Sequence, residues 1–417
     1  MAEDRFDAVV VGAGPAGAIA AYSLARGGLT VALVDRVQFP RDKACGDLLS
    51  PAVGKQLSEL GIEIEGLPVG DMALVGPNGS STPLPWPREG ALAGGAQALP
   101  RALFDEQLRV AALNAGAEFI HADIDSVQPI EDARTSVVRR DGRKIVASFV
   151  VGADGSLSRV AETAQLVTQR EALWGFAMRY YVEAYVERPL IVYWDPSSWR
   201  AFPGYGWVFP NSNGVVNLGL GMSTGNARGG ADLVTRAIPA FVDHLRELDL
   251  VGDVILKTEH RKGGWLKMGA TGTSYGRDSI LLAGDTAGLV NPLAGEGISG
   301  AVMSGNAAAR AILESPASAV VEYRRVLRNR YLDFYPATAA LQSFMSQHPR
   351  VLSMTGRILT APVFREPLSS GWSLYFNDLV DGTPSAARTV ARSIGVLARA
   401  VTVGSRVRRA TSERLVG

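Results

Sequence analysis

The segment of residues 7–17 constrains the fold of this chain more than any other part of the sequence. An apolar run ends there in Gly12-x-Gly14-x-x-Gly17, and an alanine-rich amphipathic stretch follows, which predicts a strand, a tight turn and a helix. In such a turn, backbone N–H groups and the positive end of the helix point at one place and suit a pyrophosphate. Gly12 permits the turn, Gly14 lets phosphates approach the backbone, and Gly17 lets the helix pack on the strand.

The next strand strengthens this interpretation. Residues 29–34 form a second apolar run, and Asp35 closes it. An acidic residue about 20 positions after the glycines is the usual partner of a ribose hydroxyl. The segment therefore predicts a dinucleotide site, and at this point the dinucleotide is either FAD or NAD(P).

Composition narrows the class of protein. The chain has 417 residues, of which 47% are hydrophobic and 20% charged, enough for two or three domains with a sizeable core. Its net charge of +1 argues against a nucleic-acid partner. Four scattered histidines lack the spacing of metal ligands, so no metal site is expected.

Localisation is inferred from features that the sequence lacks. It shows no signal-peptide pattern and no apolar run of about 18 residues. The single cysteine, Cys45, fits a reducing compartment. We expect a cytoplasmic protein that can also touch a membrane surface.

The order of elements predicts an α/β protein with interleaved domains. A Rossmann-type sheet is expected from residues 1–75, 97–165 and 275–330, because the buried-strand pattern returns at residues 280–285. Residues 76–96 and 166–274, with short alternating strands, predict an antiparallel substrate-binding domain. Residues 331–417 predict a C-terminal helical region. A helix is also expected at residues 100–115, with Leu103, Leu108, Ala111 and Ala112 on its apolar side.

Four further motifs accompany the glycine turn: Arg101 at a helix start, Asp154-Gly155, Gly284-Asp285, and residues 291–298. Together the five motifs resemble those of FAD-dependent oxidoreductases of the para-hydroxybenzoate-hydroxylase fold. Within that fold they are most similar to the geranylgeranyl reductase family, including the bacterial menaquinone side-chain reductases. The resemblance covers about residues 6–310.

The resemblance implies a cofactor role for each motif. It directs Arg101 to the FAD phosphates and ribityl chain, Asp285 to a ribityl hydroxyl, and the loop of residues 291–298 to the isoalloxazine. The residues expected to bind FAD are Gly12, Gly14, Ala16, Gly17, Asp35, Arg36, Cys45, Gly46, Asp47, Arg101, Asp154, Gly155, Gly284, Asp285, Pro292, Gly295, Glu296, Gly297 and Ile298. Because no second Gly-x-Gly-x-x-Gly follows a strand, NAD(P)H is expected to bind only transiently, as electron donor.

Cys45 lies in a polar loop after the second strand. Similar reductases carry a Cys-Gly pair there, near the flavin, which implies a catalytic or flavin-proximal role for Cys45. Arg41 and Lys43 are close in sequence and are expected to lower the pKa of the thiol. Proton delivery, flavin positioning and protection of the reduced flavin all remain open as its chemistry.

Tyr205, Trp207 and Phe209 alternate along one predicted strand and so share one face. They resemble the Tyr-x-Trp-x-Phe-Pro cavity motif of the same reductases, although only Gly204 separates Pro203 from the tyrosine. The resemblance implies a substrate-binding wall for a polyprenyl chain or an aromatic ring, with Tyr205 and Trp207 as further catalytic candidates. An ordinary aromatic core stripe is the alternative.

These motifs favour a reductase that saturates carbon–carbon double bonds of an isoprenoid or other apolar substrate. An FAD-dependent monooxygenase of an aromatic or polyketide compound is the main alternative, and a flavin-binding protein without turnover is another. A halogenase is disfavoured because halogenases of this fold need a catalytic lysine after the first β-α-β unit, and residues 56–143 contain no lysine.

The C-terminal region carries Arg388, Arg392, Arg399 and Arg406 near one helical face. Such a basic helix can lie on an anionic membrane surface, or it can be a solvated face packed on the protein. Both interpretations stay open. A lipid substrate would favour the first.

Overall fold

The computed structural model describes residues 4–87, 92, 95–130, 134–194, 202, 204–226, 228–331, 334–348, 354 and 357–372. In these residues the chain builds two large sheets and one small sheet. Each large sheet packs helices against its own apolar core.

The first large sheet forms around the strand that precedes the glycine turn. β1 (Asp4–Val11) pairs in parallel with β2 (Val31–Asp35) on one side and β11 (Lys144–Gly152) on the other. β18 (Ile280–Leu282) pairs in parallel with β11, which confirms that the chain returns to this sheet after a long insertion. Its other strands are β8 (Glu118–His121), β9 (Ile124–Ile130), β10 (Arg134–Arg139) and β17 (Gly276–Arg277).

Helices cover the first sheet and bury its apolar faces. They are α1 (Pro15–Arg26), α2 (Pro51–Glu59), α3 (Arg101–Asn114), α4 (Arg159–Thr163), α6 (Ile298–Glu314) and α7 (Ala319–Tyr331). α1 approaches α6 very closely, since a Cβ at Gly305 would fall 2.2 Å from the carbonyl oxygen of Ala16. Small residues on both helices therefore fix where α6 begins relative to the glycine turn.

The second large sheet is mostly antiparallel, as predicted. Its strands, in spatial order, are β16 (Arg261–Met268), β12 (Leu173–Glu183), β15 (Val215–Gly225), β14 (Gly204–Pro210), β13 (Leu190–Val192), β5 (Met72–Val75) and β6 (Ser81–Leu84). α5 (Ala231–Glu247) packs on one face, where Phe241 fills the space left by Gly206. The opposite face is left to line a cavity.

The structure departs from the predicted domain boundary at residue 75. β5 pairs with β13 and so belongs to the second large sheet, whereas the prediction placed Met72–Val75 with the first. A four-residue apolar strand does not reveal which sheet it joins, because both cores accept it equally well. Between the large sheets lies the small one, formed by β3 (Leu48–Leu49), β4 (Leu67–Val69) and β7 (Ala96–Ala98). The rest of the predicted division remains a prediction.

The described C-terminal part contains α8 (Tyr335–Gln347) and α9 (Arg365–Gly371). Trp372, just after α9, packs edge-on against Trp86, with ring centroids 4.9 Å apart. The predicted basic helix with Arg388, Arg392, Arg399 and Arg406 lies outside the described residues. Among the described helices, none is long and apolar enough to cross a membrane.

Candidate functional site

A cavity of about 340 Å³ lies where the carboxyl ends of the first sheet meet the open face of the second. Loops of the first domain contribute Pro15, Lys43, Cys45 and Asp285 to its wall. The second sheet contributes aromatic and aliphatic side chains. This is the crevice in which open α/β sheets bind their ligands.

The glycine turn is shaped by backbone contacts that exclude side chains. Gly12 has φ +102°, and a Cβ there would lie 2.3 Å from the carbonyl oxygen of Ala153. A Cβ at Gly17 would lie 1.7 Å from the carbonyl oxygen of Gly12. At Gly14 a Cβ would meet only the end of the Arg41 side chain, at 3.3 Å. No side chain caps the N-terminus of α1, so its backbone donors fit the pyrophosphate of a dinucleotide.

Asp35 braces this turn. One carboxylate oxygen accepts the N–H of Ala13 at 2.8 Å, and the other accepts the N–H of Val37 at 3.0 Å. Arg36 is exposed, and its carbonyl accepts a hydrogen bond from the His121 ring. Contacts of Asp35 and Arg36 with a ribose stay predictions.

Arg101 is buried at the start of α3 and lines the cavity. Its guanidinium donates two 2.7 Å hydrogen bonds to Asp105, which also pairs with Arg41 at 2.9 Å. The buried face of α3 is formed by Arg101, Phe104, Asp105, Leu108 and Ala112, which confirms the prediction for Leu108 and Ala112. The prediction that Leu103 lies on that face is wrong, because Leu103 is 52% exposed.

Cys45 lines the cavity beside Arg101. Its sulfur accepts the N–H of Asp47 at 3.3 Å. Burial raises the pKa of the Cys45 thiol, and the opposing effect of Arg101 is smaller. The expected lowering of this pKa by Arg41 and Lys43 is therefore wrong.

Those two cations are engaged elsewhere. Arg41 pairs with Asp105, and Lys43 lies 3.2 Å from Asp285. Proximity in sequence put both next to Cys45, but the loop folds so that their charges meet carboxylates instead.

Asp47 is fully buried and does not line the cavity. Its carboxylate accepts hydrogen bonds from Tyr181 Oη at 2.5 Å, Asn217 Nδ2 at 2.9 Å, Asn211 Nδ2 at 3.3 Å and the Arg101 N–H at 3.3 Å. In this arrangement the carboxylate holds protein groups, and contact of Asp47 with the cofactor stays a prediction.

Asp154 and Gly155 likewise support the site from outside the cavity wall. The Asp154 carboxylate accepts the N–H groups of Arg159 and Val160 and the Ser158 hydroxyl, so it stabilises the first turn of α4. The N–H of Gly155 donates to Thr286 Oγ1 at 2.9 Å. The motif predicted to bind the dinucleotide directly therefore anchors the neighbouring loop of Asp285.

Gly284 and Ala16 are packed against each other rather than exposed to the cavity. Gly284 has φ +61°, and a Cβ there would lie 3.0 Å from that of Ala16. The N–H of Gly284 donates to Ser304 on α6 at 2.9 Å. Their contribution is to bring the Asp285 loop against the glycine turn.

The loop of residues 291–297 lies in the cavity wall and leads into α6. Asn291 Oδ1 accepts the N–H groups of Leu293 and Ala294, which curls the loop. The Glu296 carboxylate accepts the N–H and hydroxyl of Ser299 at 2.9 and 2.8 Å. The predicted residues of this loop that line the cavity are Pro292, Gly295, Glu296, Gly297 and Ile298.

The three predicted aromatic residues line the cavity from β14. Trp207 donates its indole N–H to Asn217 Oδ1 at 2.9 Å, and Gly219 on β15 makes room for the ring. The hydroxyl of Tyr205 donates to the carbonyl of Ala294, which ties β14 to the loop of residues 291–297. A cavity wall rather than an ordinary core stripe is what these contacts support, while roles in catalysis stay predictions.

Two buried cations were missed by the sequence analysis. Arg179 on β12 lines the cavity, pairs with Asp42 at 2.5 Å, and stacks 3.8 Å from the Tyr181 ring centroid. Lys267 on β16 is 1% exposed, and burial lowers its pKa to about 8 although Asp154 and Asp285 act in the opposite direction. For Arg179, a cation inside the largely apolar strand β12 is a signal that could have identified it, whereas β16 also carries Arg261 and Lys262, so Lys267 does not stand out in sequence. Within the described ranges no group of His, Cys, Asp and Glu is arranged to hold a metal.

Comparison with known proteins adds to this geometry. Residues 5–315 match the family model described as FAD binding domain. The menaquinone reductase of Mycolicibacterium smegmatis is 32% identical over 378 residues, 85% of this chain and 88% of that protein. Digeranylgeranylglycerophospholipid reductase 2 of Methanopyrus kandleri is 32% identical over 331 residues, 76% of this chain and 80% of that protein.

Solved structures share the fold. A geranylgeranyl bacteriochlorophyll reductase-like protein from Thermoplasma acidophilum superposes with a TM-score of 0.74 at 21% identity, covering 93% of this chain and 99% of that one. A flavin-dependent brominase gives a TM-score of 0.70 at 16% identity, covering 97% of this chain and 100% of that one. At these identities the likeness concerns the architecture alone.

Proposed function

Because this chain belongs to the geranylgeranyl reductase family of FAD-dependent oxidoreductases, we propose that it saturates a carbon–carbon double bond of an isoprenoid lipid. The observation that carries the proposal is the cavity in which an aromatic wall, the partly buried thiol of Cys45 and the loop of residues 291–297 meet. The names of the relatives, a menaquinone reductase and a digeranylgeranylglycerophospholipid reductase, support isoprenoid lipids as the substrate class.

The residues present fit FAD. The uncapped N-terminus of α1 and the side-chain-free surface at Gly14 would hold the pyrophosphate, and Asp285 with Lys43 would reach the ribityl chain. The loop of residues 292–298 would lie against the ring. When bound and reduced, the flavin supplies the hydride that the double bond takes up.

The protein must supply the proton and exclude water. An isolated double bond resists hydride addition unless a proton reaches the second carbon in a coordinated way. The raised pKa of Cys45 keeps its thiol protonated near neutral pH, which is the form that donates. The Arg101 guanidinium and the N–H of Asp47 would then stabilise the thiolate left behind.

The aromatic wall would bind and orient the chain of the substrate. Tyr205, Trp207 and Phe209 present flat apolar surface, and the polar atoms of Tyr205 and Trp207 are bonded to Ala294 and Asn217. Because these polar atoms are already hydrogen-bonded, mainly ring surface is left to contact an apolar chain. That apolar surface also keeps water from the reacting carbons.

The electron donor is proposed to be NAD(P)H, binding transiently, because the sequence carries only one glycine motif after a strand. A substrate dissolved in a lipid bilayer would also require contact with its surface. The arginines at positions 388, 392, 399 and 406 are the proposed contact.

Anaerobic single turnover tests the proposal. The holoenzyme is reduced under nitrogen, mixed with menaquinone or with a geranylgeranyl lipid, and the lipid is analysed by mass spectrometry. A product heavier by two hydrogen atoms is expected. Unchanged lipids would overturn the assignment for these substrates, and an aromatic product heavier by one oxygen atom, formed only in air, would replace it with a monooxygenase.

A further inference from the structure

Asp47 occupies a position that its sequence context does not explain. It is 0% exposed and has φ +62°, a left-handed conformation that is uncommon outside glycine, asparagine and aspartate. Its carboxylate accepts hydrogen bonds from four separate segments: β12, the turn after β14, β15 and the start of α3. All four partners donate, which is the pattern expected around an ionised carboxylate. Burial raises the pKa of the Asp47 carboxyl, and the bonds from Tyr181 and Asn217 oppose that rise.

The same residue is bonded directly to the loop of Cys45. The N–H of Asp47 donates to Cys45 Sγ at 3.3 Å. Asn217 Nδ2 bridges the two residues, donating to the Cys45 carbonyl at 2.8 Å and to the Asp47 carboxylate at 2.9 Å. Asp47 therefore links the loop that carries the Cys45 thiol to strands β12 and β15 of the second large sheet.

We propose that Asp47 is a positioning residue, which fixes the Cys45 loop against the second sheet and places a negative charge beside the sulfur so that the thiol stays protonated. The part of this proposal that concerns proton transfer rests on the proposed function. The part that concerns the thiol itself does not.

The charges around the sulfur support this assignment. Burial is the largest cause of the raised pKa of Cys45; the charge of Arg101 opposes it, and the negative charge of Asp47 raises this pKa further. Arg101 shares its charge with Asp105, and the other charged groups nearby are already paired. These groups are Arg41 with Asp105, Lys43 with Asp285, and Arg179 with Asp42. Tyr181, bonded to Asp47, has a raised pKa and stays neutral.

Alkylation of the thiol tests the proposal, and Cys45 is the only cysteine in the chain. The rate of iodoacetamide labelling is measured across pH on the FAD-loaded protein, with no substrate present. Asp47→Asn keeps a residue that tolerates φ +62° and removes the charge. Its half-maximal labelling is expected about one pH unit lower, with labelling at neutral pH about tenfold faster.

A second substitution separates the effect of the hydrogen bonds that Asp47 makes, which anchor the Cys45 loop, from the effect of its negative charge. Asp47→Gly also keeps the backbone conformation but removes every side-chain bond, so labelling is expected to be faster even at high pH, where the thiol is fully ionised. Asn211→Ala, which deletes the 3.3 Å bond to Asp47 and the local 2.8 Å bond from the Ser212 N–H, should show a smaller rise and serves if the other variants lose FAD. Asp123→Asn, at an exposed ion pair with Arg140, is the matched control.

The wild-type pH profile in Asp47→Asn would overturn the charge role, and wild-type rates in both Asp47→Gly and Asn211→Ala would overturn the anchor. Because labelling needs no substrate, these outcomes are independent of alkene reduction. If lipid reduction fails while labelling behaves as expected, the proposed function is wrong and the link between Asp47 and Cys45 still holds.

Discussion

Gly46 lies directly against the ring of Phe209: a Cβ at position 46 would fall 2.9 Å from Cε2 of that ring and 3.0 Å from Cδ2. The contact joins the loop that carries Cys45 to the aromatic wall of the second sheet. A methyl group at position 46 would therefore push the Phe209 ring and narrow the cavity between the Cys45 thiol and the aromatic wall.

Gly46→Ala is expected to push the Phe209 ring into the cavity. The KM for the lipid should rise about tenfold, equal to about 1.4 kcal/mol of binding, with FAD retained. Steady-state kinetics on the holoenzyme measures this. Gly54→Ala, where a Cβ meets nothing within 4 Å, is the control, and equal KM values in both variants would contradict the account.

Two substitutions in the glycine turn are expected to have different effects on stability and on FAD binding. Gly17→Ala places a methyl group 1.7 Å from a carbonyl oxygen, so the turn must distort and both apoprotein stability and FAD binding should fall. Gly14→Ala meets only a flexible guanidinium and should leave apoprotein stability unchanged while weakening FAD binding about tenfold or more. Thermal unfolding and FAD titration distinguish them. Normal FAD affinity in Gly14→Ala would place the phosphates elsewhere.

Cys45→Ala should keep FAD and lose turnover. Removal of a general acid slows reactions by about 10²–10⁴-fold, and nothing else in this substitution disturbs the turn that holds the cofactor. Single-turnover oxidation of the reduced holoenzyme by lipid gives the rate. Wild-type turnover in Cys45→Ala would show that another group delivers the proton.

Asp285→Ala should lose FAD on purification. Its carboxylate lies in the cavity wall, 3.2 Å from Lys43 Nζ, and a hydrogen bond from a ribityl hydroxyl to a charged acceptor contributes about 1.5–3 kcal/mol. The flavin-to-protein absorbance ratio measures the loss. Lys43→Met is the control: it removes the cation but leaves the Asp285 carboxylate as acceptor, and should lose less FAD. Equal flavin content in Asp285→Ala and in the wild type would contradict the role of Asp285.

Lys267 predicts a distinct pH dependence of stability. Its pKa falls from 10.5 to about 8 in the folded protein, so between these pH values the unfolded chain binds a proton that the folded chain does not. The free energy of unfolding should therefore rise with pH across this window, by up to about 3 kcal/mol relative to Lys267→Met. Urea unfolding at several pH values from 7.5 to about 10.5 measures the difference, and parallel curves would show that Lys267 is not perturbed.

The sequence identifies the fold because its strongest signals are local. The glycine turn, the return of a buried-strand pattern at residues 280–285 and the helix predicted at residues 100–115 each depend on neighbouring residues. Each appears in the structure, the last two as β18 (Ile280–Leu282) and α3 (Arg101–Asn114). Alternation in β14 likewise predicts which three rings share a face.

What the sequence misses depends on tertiary pairing. Neighbours in sequence suggested that Arg41 and Lys43 would activate Cys45, but Asp105 and Asp285, far along the chain, take up both charges. The inward turn of Asp47 requires Tyr181 and Asn217, which only the second sheet supplies. Leu103 was expected inside because it is apolar, yet the ion pair of Arg101 and Asp105 occupies the buried face of α3.

The most direct test of the account is the visible absorbance of the flavin in the reduced holoenzyme, followed under nitrogen after an isoprenoid lipid is added. The account predicts that the oxidised flavin spectrum returns without oxygen, in proportion to the saturated lipid formed, and that Cys45→Ala slows this return. A flavin that stays reduced with every isoprenoid lipid until air is admitted would contradict it.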